Sequence, residues 1–274
     1  MLNDTRLAFI GGGNMGEAMV KGLVEQRLVE PRKVTVSDPK PERRAHLAQT
    51  YGVRAVQDNV EAVSDADVVV LAIKPQVLKK AAQELHGKIP GHALVLSIIA
   101  GARIAALQRG LAHKAIARAM PNTPAQIGQG ISVWTTTPEV SPEQVEQART
   151  ILGALGEEIW MDDENYLDMA TALSGTGPGY VFLFMEAMID AGVHLGFSRD
   201  VATRLVLQTM QGSVALARAT GRHPTELRNA VTSPGGTTAE ALYQLEKGGL
   251  RTVLSKAIWA AYQKSRYLGG LSEQ

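Results

Sequence analysis

Cysteine is absent from the sequence, which removes disulfide frameworks, thiolate metal sites and cysteine nucleophiles at once. An excess of one charge is missing too. Lys and Arg number 28 against 27 Asp and Glu, a formal net charge of +1. That balance gives no electrostatic basis for nucleic acid or an anionic membrane as partner. No apolar run approaches the ~20 residues a bilayer-spanning helix needs. Met1-Leu2-Asn3-Asp4-Thr5-Arg6 leads straight into an apolar strand, without the basic region and long apolar core of a signal peptide. The expectation is a soluble, cytoplasmic protein. What is present is ordinary for a globular chain: 45% hydrophobic and 20% charged residues over 274 positions, enough for two modest domains or one large one.

The first half alternates short β-branched runs with helical patterns. Strands are expected at 6–10, 33–37, 66–73, 93–98 and 114–119, and helices at 14–26 and near 41–50. Ala66-Asp67-Val68-Val69-Val70-Leu71-Ala72-Ile73 is apolar on nearly every residue, as in a parallel strand covered on both faces. The fold class is α/β, a Rossmann-type doubly wound sheet. Residues 131–134 and 158–161 flank a helical segment at 141–155 and extend the sheet. Beyond residue 163 the pattern becomes helical throughout, over 165–173, 178–196, 199–219, 235–247 and 250–268. The chain divides into a dinucleotide-binding domain, 1–163, and an all-helical domain, 164–274.

Gly11-Gly12-Gly13-Asn14-Met15-Gly16 follows a strand and opens a helix, the context in which G-x-G-x-x-G is informative. Gly11 permits the turn, Gly13 lets the backbone approach a pyrophosphate, and Gly16 lets helix and strand pack closely. Free N–H groups and the positive end of the helix dipole then hold the phosphates. The second strand ends Val36-Ser37-Asp38, where an acidic side chain would take a ribose 2′-hydroxyl. Lys40, Arg43 and Arg44 follow and could instead hold a 2′-phosphate, or form a solvated helix face. Lys74-Pro75, Ala100-Gly101 and Met120-Pro121-Asn122-Thr123-Pro124 close later strands at the sheet's C-terminal edge, where such folds bind ligands. Lys74 reads equally as a cofactor contact or a cation at a loop start.

In the helical half, Ser174-Gly175-Thr176-Gly177-Pro178-Gly179-Tyr180 reads as a turn whose N–H groups can converge on an anion. Ser233-Pro234-Gly235-Gly236-Thr237-Thr238 opens a helix with backbone donors and two hydroxyls suited to a carboxylate, or with hydroxyls that merely cap it. His194 reads as packing and His223 as a loop residue, so neither is assigned as an acid.

Pro224-x-x-Leu227-x-x-x-Val231-Thr232-Ser233-Pro234-Gly235-Gly236-Thr237-Thr238-x-x-Ala241-Leu242-x-x-Leu245-Glu246 resembles the C-terminal motif of pyrroline-5-carboxylate reductases. The likeness covers essentially the whole chain, through Phe9-Ile10-Gly11-Gly12-Gly13-Asn14-Met15, Lys74-Pro75, Met120 to Pro124, and residues 174–180. Departures are small. Gly16 and Gly179 stand where the family often has Ala, Thr176 where it has Ser, and Ala230 replaces a polar residue of some members.

The resemblance implies reduction of the C=N bond of 1-pyrroline-5-carboxylate to L-proline, the last step of proline biosynthesis, by NADPH or NADH. It implies a cofactor site at Gly11, Gly13, Asn14, Met15, Gly16, Ser37, Asn59, Ala72, Lys74, Pro75, Ala100, Gly101 and Asn122. It also implies a substrate site at Ser233, Gly235, Gly236, Thr237 and Thr238, with Glu164, Ser174 and Gly175, and no metal. Thr238 is the candidate catalytic residue, near the ring nitrogen. An imine is basic enough to arrive protonated, so proximity and orientation can supply ~7–11 kcal/mol of the barrier. A β-hydroxyacid dehydrogenase is the alternative, but the helix after Gly177 lacks the Lys such enzymes use. A non-catalytic nicotinamide-binding regulator would have no reason for Gly236-Thr237-Thr238. Apolar residues on 178–196 and 199–219, among them Phe182, Leu183, Leu205 and Leu207, exceed what one small domain buries. They imply a homodimer, with rings of dimers beyond it.

Overall fold

Leu7, Ala8, Phe9 and Ile10 are all buried, and they divide by parity between two cores. Leu7 and Phe9 join the face with Met19, Leu23 and Trp134, while Ala8 and Ile10 join the face with Leu85, Leu107 and Leu111. A sheet covered on both faces explains why its strands show no polar alternation. The structure, a computed structural model, describes residue 2 and residues 4–272. Met1 and Asn3 of the N-terminal approach, and Glu273 and Gln274 of the helical domain, lie outside the described residues.

Eight strands make one sheet: β1 (Leu7–Ile10), β2 (Val34–Ser37), β3 (Arg54–Val56), β4 (Val68–Leu71), β5 (Leu94–Ser97), β6 (Ile116–Met120), β7 (Gly130–Thr136) and β8 (Gly156–Trp160). Their spatial order is β3-β2-β1-β4-β5-β6-β7-β8. Neighbours pair in parallel except β6 and β7, which are antiparallel. Strand order reverses between β1 and β4, the crevice where open α/β sheets bind ligands. The helices are α1 (Asn14–Glu25), α2 (Pro41–Tyr51), α3 (Asn59–Val63), α4 (Leu78–Leu85), α5 (Ile104–Leu111), α6 (Pro142–Gly153), α7 (Tyr166–Ala170), α8 (Gly177–His194), α9 (Arg199–Thr220), α10 (Pro224–Ala230), α11 (Thr237–Lys247) and α12 (Leu250–Ser272).

The sheet and the long helices lie where the sequence pattern puts them, with ends shifted by a few residues. Five elements escape the pattern. β3 is a three-residue edge strand with Arg54 exposed, and α3, α4 and α5 are too short for helical periodicity to declare itself. α10 is likewise short, seven residues, and Pro224 begins it, which fits a proline at the first helical position. Thr171–Gly175 is a π-helical turn running almost directly into α8, so most of 174–180 is helical rather than an open turn.

By contacts the chain forms two compact units, Met1–Pro178 with Ala260–Gln274, and Gly179–Trp259. The end of strand patterning near 163 and this division follow different lines, since α7 and the last part of α12 belong with the sheet. From Gly179 to Trp259 only Ala202 and Val206 are buried. Phe182, Leu183, Leu205, Val214 and Val253 are each half-exposed or more. No helix among the described residues is long and apolar enough to cross a membrane.

Gly130 and Gly156 meet back to back where β7 and β8 start. Gly156 holds φ +134°, and a Cβ there would lie 2.2 Å from the Gly130 carbonyl oxygen. Gly156→Ala is expected to lower stability by at least about 2 kcal/mol, from backbone strain and overpacking together. A denaturant midpoint matching the wild type would show that the β7–β8 start tolerates a side chain.

Candidate functional site

The turn after β1 is built from glycines with different causes. Gly11 holds φ +103°, and a Cβ on it would sit 2.7 Å from the Ala72 carbonyl oxygen. A Cβ on Gly16 would sit 2.3 Å from the Gly11 carbonyl oxygen, and one on Gly12 2.6 Å from Leu47 Cδ1. Gly13 differs: a Cβ there would meet no heavy atom within 4 Å. No protein neighbour requires glycine at 13, whereas a ligand pressed against the backbone would. Gly13 is also the N-cap of α1, and no side chain caps that helix. Its first-turn N–H groups therefore suit an anion. Gly13 and Asn14 are exposed, Met15 is half-buried and Gly16 is buried. This cradle fits the diphosphate of a dinucleotide.

The end of β2 is less open than its sequence suggests. Asp38 is buried, its Oδ2 accepting from the Gly12 N–H at 3.0 Å and its Oδ1 from the Lys40 N–H at 2.9 Å. The carboxylate expected at a ribose hydroxyl is thus turned inward, onto the glycine turn. Ser37 is buried as well; its hydroxyl donates to Asn59 Oδ1 at 2.6 Å, and Asn59 Nδ2 donates to Glu84 at 2.7 Å. Of the three cations, Arg43 is directed onto the Gly12 carbonyl and Glu17. Arg44 donates to the carbonyls of Asp38 and Pro39, and Lys40 is exposed. Burial pushes the Glu17 carboxyl up, but hydrogen bonds from Arg43 and His46 and the Arg43 charge outweigh it, leaving a net shift below the ordinary carboxylate value.

The remaining cofactor candidates lie along the same edge of the sheet. The Ala72 N–H donates to the Ile10 carbonyl, which pairs the end of β4 with the end of β1. Lys74 and Pro75 follow, both exposed, with Pro75 opening a short 3₁₀ turn. Gly101, at φ +73°, is covered by Leu268 of α12. Asn122 donates to the Ser174 carbonyl at 3.2 Å and accepts from the Ile131 N–H at 3.0 Å. It pins the π-helical turn to the end of β6. A Cβ on Gly175 would lie 2.8 Å from Met120 Cε, and the Ser174 hydroxyl donates to Ala170.

Glu164 stands in a charged network. Its Oε1 accepts from Arg118 at 2.5 Å and from the Ile104 N–H at 2.8 Å, so it completes the start of α5. Arg103 donates to Asp168 at 2.7 Å and approaches Glu164 at 4.0 Å. The other Asp168 oxygen accepts from the Ser265 hydroxyl at 2.7 Å. Side-chain exposure is 3% at Arg118 and 1% at Asp168 but 16% at Arg103 and 23% at Glu164, so the network is buried at its base and reaches toward the surface. Arg103, Arg118, Asp168 and Ser265 are not among the residues expected from the sequence. Arg118 within an otherwise apolar strand was the one signal available.

In the second unit, Ser233 to Thr238 makes a turn closed by the Gly236 N–H donating to the Ser233 carbonyl at 3.0 Å. Gly235 adopts φ +71°, and Gly236 is the N-cap of α11. No side chain caps α11. The hydroxyls of Thr237 and Thr238 are therefore not spent on the helix start, which counts against the capping reading. Thr237 is exposed and Thr238 half-buried. His223, by contrast, is a cap: its Nδ1 accepts from the Thr225 N–H. No group of acidic and histidine side chains suited to a metal occurs among the described residues.

Two family models match the chain: pyrroline-5-carboxylate reductase dimerisation over residues 164–268, and NADP oxidoreductase, coenzyme F420-dependent, over residues 6–101. A pyrroline-5-carboxylate reductase of Pseudomonas aeruginosa is 43% identical over 268 residues, covering 97% of this chain and 98% of its own. That of Escherichia coli is 36% identical, covering 97% and 98%. Among solved structures, the enzyme of Coxiella burnetii matches with a TM-score of 0.89 at 36% identity, over 97% of this chain and 99% of that one. The Plasmodium falciparum enzyme, solved with NADP bound, gives a TM-score of 0.89 at 30% identity, over 97% and 99%.

Asp168→Asn tests the buried network, because it weakens the acceptor for Arg103 without removing volume. Breaking a buried pair costs about 3–5 kcal/mol when one partner is deleted. The isosteric change is expected to cost about half of that, measured as a fall in thermal and denaturant midpoints. Wild-type stability in the variant would show that the ion pair contributes nothing net.

Proposed function

The chain belongs to the pyrroline-5-carboxylate reductase family, and we propose how its residues divide the reaction between them. The enzyme reduces the C=N bond of 1-pyrroline-5-carboxylate to give L-proline, with a nicotinamide dinucleotide as reductant. The observation that carries the proposal is a pair of helices, α1 and α11, each with a glycine N-cap and no capping side chain. The start of α1 takes the cofactor's diphosphate, and the start of α11 takes the substrate's carboxylate.

Gly11, Gly13, Asn14, Met15 and Gly16 form the diphosphate cradle. Asn59 extends it, with Ser37 acting behind Asn59 through their hydrogen bond. Ala72, Lys74, Pro75, Ala100, Gly101 and Asn122 line the cofactor along the strand ends. The nicotinamide supplies the hydride. NADPH is the preferred cofactor in this reading and NADH a weaker one. Asp38 has its carboxylate occupied by backbone N–H groups, while Lys40 stays exposed beside it to meet a 2′-phosphate.

Gly235, Gly236 and Thr237 hold the substrate carboxylate by backbone N–H groups and a hydroxyl, with Ser233 shaping the turn. Glu164, Ser174 and Gly175 are assigned to the substrate side in the same reading. Thr238 is the catalytic residue. The substrate arrives as the iminium, so no strong acid is required, and the Thr238 hydroxyl accepts its N–H. That bond fixes the ring so that one face of the carbon is presented, the orientation effect that dominates such a reaction.

A second copy of the chain covers the apolar helices between Gly179 and Trp259. An exposed apolar area of this extent marks an interface, and the matched dimerisation domain makes the chain a homo-oligomer. The unit proposed is a dimer, with rings of dimers above it, working in the cytoplasm. Light scattering is expected to return a dimer mass or a multiple of it; a monomer at micromolar concentration would overturn the interface.

Thr238→Ala is expected to lower kcat/KM by about ten- to a hundredfold, the worth of one hydrogen bond to a charged group. Cofactor affinity should not change. The measurement is loss of reduced-nicotinamide absorbance on adding 1-pyrroline-5-carboxylate, with a β-hydroxyacid and oxidised cofactor as control. Full activity in the variant removes Thr238 from the mechanism.

A further inference from the structure

Both backbone polar groups of Gly12 are held by charged side chains. The N–H donates to Asp38 Oδ2 at 3.0 Å, and the carbonyl accepts from Arg43 twice, from Nε at 2.9 Å and Nη2 at 2.5 Å. Arg43 is anchored in turn. Its Nη2 donates to Glu17 Oε2 at 2.6 Å, while Glu17 Oε1 is shared by His46 Nε2 at 2.7 Å and the Tyr51 hydroxyl at 3.1 Å. Asp38 is fixed from its other oxygen by the Lys40 N–H. A line of charge-assisted bonds thus runs from α2 into the middle of the glycine turn.

The peptide between Gly12 and Gly13 is trans, so its carbonyl and its N–H point in opposite directions. Drawing the carbonyl onto Arg43 therefore aims the Gly13 N–H away from Arg43. That N–H belongs to the one glycine of the turn whose missing side chain has no cause in the protein.

We propose that Arg43 is a positioning residue of the phosphate turn and not a ligand of the cofactor's 2′-phosphate: with Asp38 it orients the Gly12–Gly13 peptide before any dinucleotide arrives. This rests on the cofactor reading given above and adds a distinction it does not contain. The diphosphate is common to NADPH and NADH, whereas the 2′-phosphate belongs to NADPH alone. A clamp on the turn supports both cofactors equally. A 2′-phosphate ligand discriminates between them.

The test is Arg43→Met in the full-length oligomer, with dissociation constants for NADPH and NADH measured by fluorescence without substrate. Both are expected to rise by about tenfold or more, with their ratio unchanged, from loss of hydrogen bonds made by a charged group. Hydrogen exchange of the peptide covering residues 11–16 in cofactor-free protein is expected to quicken, while α6 keeps its protection. Arg43→Lys restores the charge but not the fork, so it should rescue neither cofactor fully. A loss confined to NADPH and recovered by Arg43→Lys would overturn the proposal, as would unchanged affinities. If Arg43→Met does not fold, Glu17→Gln loosens the same arginine and should shift both constants in the same direction. Failure of the wild-type protein to bind either dinucleotide would sink the cofactor reading instead, and the exchange measurement would still report on the clamp.

Discussion

A helix that begins without a capping side chain leaves its first N–H groups to whatever anion reaches them, and α1 begins in that way at the reversal point of the sheet. Much of the first unit follows from keeping that start open and correctly aimed. Gly11 and Gly16 bring the helix close against β1 and β4, so close that side chains at either position would meet backbone. Asp38, an apparent ribose ligand by position, is spent on the Gly12 N–H. Arg43, an apparent phosphate ligand by charge, is spent on the Gly12 carbonyl. Charges near a binding site need not touch the ligand to matter for it.

The second organising feature is the largely buried network of Arg103, Arg118, Glu164, Asp168 and Ser265. Burying this much charge is favourable only when every partner is present. Here the partners come from β6, the start of α5, the stretch around α7 and the end of α12. That is a physical reason for the last part of α12 to belong with the sheet, far along the chain from the strands. Glu164 occupies one of its oxygens in this network, so its role toward a substrate and its role in holding α5 are not separable by deletion alone.

The segment from Gly179 to Trp259 has the opposite character. Its helices bury almost nothing by themselves, and their apolar residues face outward. Such a segment does not supply its own core, which accords with a matched domain defined by dimerisation.

The sequence by itself determined the doubly wound sheet, because strands covered on both faces read as unbroken apolar runs, and Gly11 to Gly16 announced the turn after the first of them. It determined the family too, through the long motif around Ser233 to Thr238. It could not show β3, a three-residue edge strand without an apolar run, nor α3, α4, α5 and α10, helices of five to eight residues and too short to display a helical period. It could not say whether Asp38, Arg43 and the two threonines were ligands, caps or clamps. Those roles depend on which backbone groups lie within about 3 Å, a distance set by how separate segments pack. Tertiary structure decided that Asp38 and Arg43 hold Gly12. It decided also that Thr237 and Thr238 leave the start of α11 uncapped, and that Asp168 and Ser265, almost a hundred positions apart, share one hydrogen bond.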